Sequence, residues 1–205
     1  MDTKEKIVEK ALEMYNEQGV EYVGVRELAK ELGMKGGNIT YYFPTKYDLI
    51  RELGSRLSSG NEQIMKMYQD KSMYNYLLMH QELYNNQYKY RSLVISLPLL
   101  LKQNVDFRKQ YNENQSVRKK DMYSELKSLF LAGYIQGTKI EILDMVLHSV
   151  IMMGRLWVIE ANLDYEVIKK EEVISDYLKR LCNILRLVAS EKGTADIDRF
   201  LNELQ

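Results

Sequence analysis

The apolar positions of this chain recur at helical spacing from end to end and nowhere alternate as strands do. Ile7, Val8, Ala11, Leu12 and Tyr15 share one face of a first helix that stops at Gly19, with Asp2 and Glu5 spaced as a capping box. Gly24 and Glu27 sit at the N-cap and N3 positions of a second helix, whose apolar side is Leu28, Ala29 and Leu32. Gly33 follows as the natural left-handed residue past its end. A third helix, from about Gly36 to Phe43, is too short to stand alone and must be held by packing. Pro44 closes it. Two short helices joined by a glycine turn form the helix-turn-helix pattern.

The pattern then lengthens. Thr45 caps a helix whose apolar face begins with Tyr47, Leu49, Ile50, Leu53 and Leu57 and runs to about Tyr68, weakened at Gly54 and Gly60. Further helices are predicted over 72–87, over 89–102 around Pro98, and over 105–132 behind the cap Asn104. The seam of that last helix passes through polar Asn114, Gln115 and Arg118. Residues 139–162 are apolar around most of their circumference, so that helix is buried on more than one side. A cleaner stripe runs over 167–192, Gly193 ends it, and Thr194 opens a short final helix. The prediction is an all-α chain: a three-helix helix-turn-helix domain at 1–46 and a larger helical domain at 47–205, without a flexible linker.

Composition narrows the class. With 45% apolar and 28% charged residues the 205-residue chain reads as globular. Its net charge of zero gives no bulk argument for a nucleic-acid partner. Residues 1–60 hold nine Lys/Arg against ten Asp/Glu, so any DNA contact there rests on local placement and its salt dependence is shallow. The lone Cys182 excludes an internal disulfide and fits a reducing, cytoplasmic compartment. No continuous run of about 18 apolar residues is present, so neither a spanning helix nor a membrane partner is expected. The charged start (Asp2, Lys4, Glu5, Lys6) is unlike a secretory signal. His80 and His148 belong to no His-Glu-x-x-His pair, glycine-rich phosphate loop or Cys-His cluster. No catalytic residue, metal or cofactor is therefore predicted, and the chain is not read as an enzyme.

The first 50 or so residues resemble the DNA-binding domain of the TetR (tetracycline-repressor) family. The resemblance is carried by Gly19, Arg26-Glu27-Leu28-Ala29, Gly33-Met34, Gly37, Ile39, Tyr41-Tyr42-Phe43 and Thr45-Lys46 with Leu49. It implies that the third helix enters the major groove, with Lys35, Gly36, Gly37 and Asn38 near base edges. Lys35 can donate to guanine and Asn38 can pair with adenine. Tyr41, Tyr42 and Thr45 offer hydroxyls, and Lys46 matches the family's phosphate-binding lysine. The chain departs from the family at Val25, where a hydroxyl is usual and only the Gly24 amide remains nearby. It departs again at Thr40 and Tyr42, which stand where Tyr and often His are found.

The resemblance also implies a homodimer on double-stranded operator DNA, formed through the last two long helices. The interface is expected at Leu147, Ile151, Gly154, Trp157 and Val158, facing Tyr177, Leu181, Ile184, Leu185 and Val188. A small hydrophobic or anionic effector is expected in the C-terminal domain. Candidate pocket residues are Tyr76, His80, Tyr84, Phe107, Tyr111 and Asn114, then Arg118, Met122, Tyr123, Met152 and Arg155. Arg118 and Arg155 are the sharpest, since each lies on an otherwise apolar face where an unpaired charge is costly. The implied function is a repressor released from a palindromic operator by that effector. An effector-independent regulator or activator, or a helical interaction module without DNA binding, is the alternative.

Overall fold

A computed structural model describes residues 2–137, 139–165 and 169–204. Ten helices are found among them. The N-terminal unit contains α1 (Thr3–Gln18), α2 (Val25–Glu31) and α3 (Gly36–Tyr42). The long α4 (Lys46–Met67) leads to α5 (Met73–Lys89), α6 (Arg91–Gln103) and α7 (Val105–Leu131). The chain ends with α8 (Ile140–Asp164), α9 (Lys170–Arg186) and α10 (Glu191–Glu203). Thr45 caps α4 as its sequence suggests, with Asp48 returning the bond to the Thr45 amide. Asn104 caps α7 by accepting from the Phe107 amide at 2.8 Å.

Two apolar cores form. The larger one surrounds α5, which packs against α4, α8, α9 and α10. At its centre Leu77, Tyr177, Leu178, Leu181 and Leu185 are wholly buried, with Trp157 and Phe200 beside them. The smaller core holds Ile7, Ala11, Leu28, Ile39 and Phe43, and does not end with the helix-turn-helix. Leu49, Ile50 and Leu53 of α4 belong to it, as do Tyr90, Leu93 and Leu100 around α6. The predicted edge at residue 46 thus falls within one continuous core. Polar bonds reinforce this seat: Asn16 Oδ1 accepts from the Ser92 amide at 3.2 Å, and its Nδ2 donates to the Lys89 carbonyl at 2.9 Å.

Four expectations change. Asp2 makes no side-chain cap for α1, and the Glu5 carboxylate, instead of returning a bond to Asp2, forms a two-pronged ion pair with Arg56 of α4, at 2.6 and 2.7 Å. The helix predicted over 167–192 ends at Arg186, and its predicted first residues lie outside the described ones. Gly193 is no stop: it lies in the first turn of α10, capped by Ser190, where a Cβ would come within 2.2 Å of the Tyr134 carbonyl oxygen. A close backbone crossing, not helix termination, requires that glycine. Finally, α8 is long and apolar enough to cross a membrane by length and composition, although only 28% of its most apolar stretch is buried within the chain. Its charges are too sparse to break that stretch, so counting unbroken apolar residues understated it.

Candidate functional site

The helix-turn-helix is built by two local devices. Gly33 takes a positive φ of 63°, and the chain around it closes a Schellman turn. In that turn the Met34 amide donates to the Ala29 carbonyl at 2.9 Å and the Gly33 amide to the Lys30 carbonyl at 3.2 Å. The seven-residue α3 is then pinned by Ile39, which is wholly buried, and by Phe43 just past its end. One anchor in the middle of so short a helix leaves the rest of its circumference facing solvent. Lys35, Gly37, Asn38, Thr40, Tyr41 and Tyr42 are all exposed, Tyr41 to 81%.

Free donors are not evenly spread over this surface. The side chains of Lys35 and Asn38 and the two tyrosine hydroxyls have no hydrogen-bond partner among the described residues. The Tyr41 and Tyr42 rings brace one another edge to face at 5.1 Å. By contrast, the Thr40 hydroxyl donates back to the Gly37 carbonyl at 3.3 Å, and the Thr45 hydroxyl to Asp48 at 2.7 Å. The Gly24 amide is taken by Glu27 at 3.0 Å, and Val25 is half-buried. Lys46 folds inward, its Nζ donating to the Glu21 carbonyl at 3.3 Å and lying over the Tyr15 ring. Burial holds its pKa below the ordinary lysine value. Four predicted contact groups are therefore already engaged within the chain. Two exposed residues outside the predicted set flank the unit: Tyr22, 79% exposed before α2, and Arg26 in its first turn. Tyr22 is legible only as the polar-facing member between buried Val20 and Val23.

The helical domain encloses two joined chambers beside α4, α5, α7 and α8. The inner one measures about 440 Å³ and is lined by Tyr76, Met79, His80, Tyr84 and Met122 among others. The outer one measures about 260 Å³ and includes Leu57, Phe107, Tyr111 and Asn114. They share Asn61, Gln87, Gln115, Arg118, Gly154 and Arg155. His80 is buried, with Nδ1 2.9 Å from the Tyr76 carbonyl oxygen; desolvation pushes its pKa down to about 4. The carbonyl can only accept, so Nδ1 carries the proton and the ring is neutral.

Nine of the eleven predicted pocket residues line these chambers. Tyr123 and Met152 do not: they are 61% and 63% exposed, and Tyr123 borders a separate apolar groove between α7 and α8. The predicted dimer residues change more. Trp157, Val158, Tyr177, Leu181, Leu185 and Val188 are at most 2% exposed in the single chain, and Leu147 6%, so they have no area left for a partner. Ile151 and Gly154 turn to the chambers, where the Gly154 carbonyl accepts from Gln87 at 3.0 Å. Ile184, like Ile151 and Gly154, is half-buried. The outward apolar stripe consists instead of Met145, Met152, Leu156 and Leu163 on α8, with Leu187 after α9.

Residues 7–53, which contain the whole helix-turn-helix, match the family described as bacterial regulatory proteins, tetR family. That match covers the DNA-binding unit and the start of α4, and does not extend into the helical domain. Over 66 residues the chain is 33% identical to the probable HTH-type transcriptional regulator YttP of Bacillus subtilis, a match that spans 32% of each protein. The fold extends the likeness to the whole chain. A tetR-family regulator from Marinobacter aquaeolei VT8 superposes with a TM-score of 0.88 over 100% of both chains at 17% identity. A transcriptional regulator from Saccharomonospora viridis, solved in complex with choline, gives 0.70 over 92% of this chain and 98% of its own, at 15% identity.

Proposed function

We propose that this chain is a tetR-family regulator: a homodimeric, sequence-specific DNA-binding repressor whose operator affinity is lowered by a small molecule held in the helical domain. The observation that carries the reading is the face of α3. Lys35, Asn38, Tyr41 and Tyr42 project from a helix fixed by one buried side chain, and their side-chain donors have no partner among the described residues. Such a surface can dock in a major groove without breaking any internal bond.

Dimerisation is supported by α8. Met145, Met152, Leu156 and Leu163 recur along one side of the helix, and leaving that stripe in water is unfavourable. A second copy meeting the same stripe forms an isologous interface, which places two recognition helices around a two-fold axis and predicts a palindromic site. Effector control is supported by the chambers, whose size and apolar lining with a few polar groups suit a small molecule. The choline found in the Saccharomonospora viridis regulator is a precedent for a ligand in this fold. Both chambers border the C-terminal half of α4, and the N-terminal half of α4 is part of the DNA-unit core, so one helix touches both sites.

Footprinting on the DNA upstream of the chain's own gene tests the whole reading. Protection of two inverted half-sites about one helical turn apart is expected. Met152→Glu combined with Leu156→Glu is expected to give a monomer by sedimentation and to lose that protection. A single unsymmetric footprint overturns the dimer assignment, and a double variant that remains dimeric overturns the α8 stripe as its interface.

A further inference from the structure

We propose that the occupant of the chambers is an amphipathic carboxylate, its acid group held between Arg118 and Arg155 and its hydrocarbon body in the inner chamber beside Tyr76, His80 and Tyr84. This rests on the effector reading above and names the chemistry of that ligand.

Arg51, Arg56, Arg180, Arg186 and Arg199 each hold a carboxylate. Arg118 and Arg155, like Arg26, Arg91 and Arg108, form no ion pair among the described residues, but these two alone of the five line a cavity, at the neck common to the two chambers. Arg118 is half-buried and donates only to the Ser58 hydroxyl at 3.2 Å; Arg155 reaches only the Tyr111 hydroxyl at 3.4 Å. A guanidinium stays charged at any working pH, and its fork matches a carboxylate. The acids nearby do not supply the counter-charge. Glu125 is held by Lys71 through both oxygens, at 2.8 and 2.9 Å. Glu62 borders the outer chamber and biases Arg118 from a distance without pairing with it. The neck thus presents two guanidinium groups, one half-buried and one exposed, that a single carboxylate can bridge.

Beyond the neck the lining changes character. Met65, Met79, Leu83, Met122 and Ile151 give an adaptable apolar wall. His80 in this lining is neutral and anchors no anion; the other cation there, Lys119, is exposed. A cation is repelled at the neck, and a dianion or a sugar leaves polar groups against apolar walls. One acid group on a hydrocarbon body satisfies both parts.

The sole tryptophan reports on the chamber directly. Trp157 stacks on Tyr84 at 4.9 Å and its indole N–H donates to Gln87, and both neighbours line the cavity. Trp157 emission and melting temperature of the full chain are followed during titration with dodecanoate, dodecanol or dodecyltrimethylammonium, each below its micelle threshold. Dodecanoate is expected to bind at least about tenfold more tightly than dodecanol, and the ammonium compound most weakly. Arg118→Met and Arg155→Met are each expected to abolish the preference for acid over alcohol, while Arg118→Lys keeps part of it. Should Arg118→Met fail to fold, Arg155→Met and Arg118→Lys carry the comparison. Equal binding of acid and alcohol, or preference for the cation, overturns the carboxylate assignment while leaving the cavity as an effector site. No change in emission or melting temperature with any of the three overturns both.

Discussion

The two halves of α4 border surfaces of opposite construction. At its start the helix-turn-helix presents polar groups outward from a minimal anchor, and those outward groups all come from residues 22–46. At its end the chambers are assembled from α4, α5, α7 and α8, whose lining residues span positions 51–155. A docking surface for a partner of fixed shape can be encoded by short, local spacing. A cavity for one small molecule depends on how distant helices are rotated against each other. The first therefore stays recognisable in a sequence, and the second drifts.

The sharpest break of that contrast is at Ile39. Replacing this wholly buried side chain by Ala is expected to cost about 2–5 kcal/mol, since α3 has little else to hold it. DNA binding should be lost while the chambers still take up ligand, as read by Trp157 emission. If ligand uptake fails together with DNA binding, the two regions are less separable than the two cores indicate.

A test from the other end uses His80. Its folded-state pKa lies near 4, below the ordinary 6.5, so the unfolded chain binds a proton that the folded chain excludes. Stability is therefore full above pH 6.5 and falls as pH drops from 6.5 towards 4, by about 3 kcal/mol at most from this group. Denaturant melts of the native chain and His80→Phe should diverge across that window, with the variant flatter. Parallel curves would mean that His80 is solvated and that the inner chamber is not dry. The carboxyl groups of Glu5, Asp48 and Glu52, all held below their usual values by hydrogen bonds and nearby cations, add a further loss at lower pH in both proteins.

The smallest expected effect is at Thr45. Thr45→Ala removes the cap of α4 and should lower stability by about 1 kcal/mol. Because its hydroxyl is bonded to Asp48, specificity for DNA should be unchanged once the loss of folding is allowed for. A changed sequence preference in the folded variant would show that this hydroxyl leaves its cap to meet DNA.

Legibility follows the same division. Gly33, Ile39 and the exposed Lys35–Asn38–Tyr41 face could be read because a helix of seven residues has a single way to bury one side chain. The fate of Lys46 could not, since its reach depends on the ring of Tyr15, a full helix away in sequence. In the helical domain the polar seam of α7, with Asn114 and Arg118, faces the chambers. Met152 and Ile151 were exchanged because neighbouring positions on a helix point about 100° apart, and α8 is apolar on nearly every side. The clean stripe of α9 reads as buried but does not say against what. Tyr177, Leu181 and Leu185 are spent within the chain's own core, and the surface left for a partner is a second stripe on α8.

The central claim is that α3 reads base sequence. Fluorescence anisotropy with the DNA upstream of the chain's own gene, comparing the native chain with Lys35→Ala at moderate salt, tests it most directly. The account predicts a sequence-dependent complex in the native chain and a loss of about 1–3 kcal/mol in the variant, without a change in melting temperature. Binding without sequence preference, or a variant that binds as the native chain does, would contradict it.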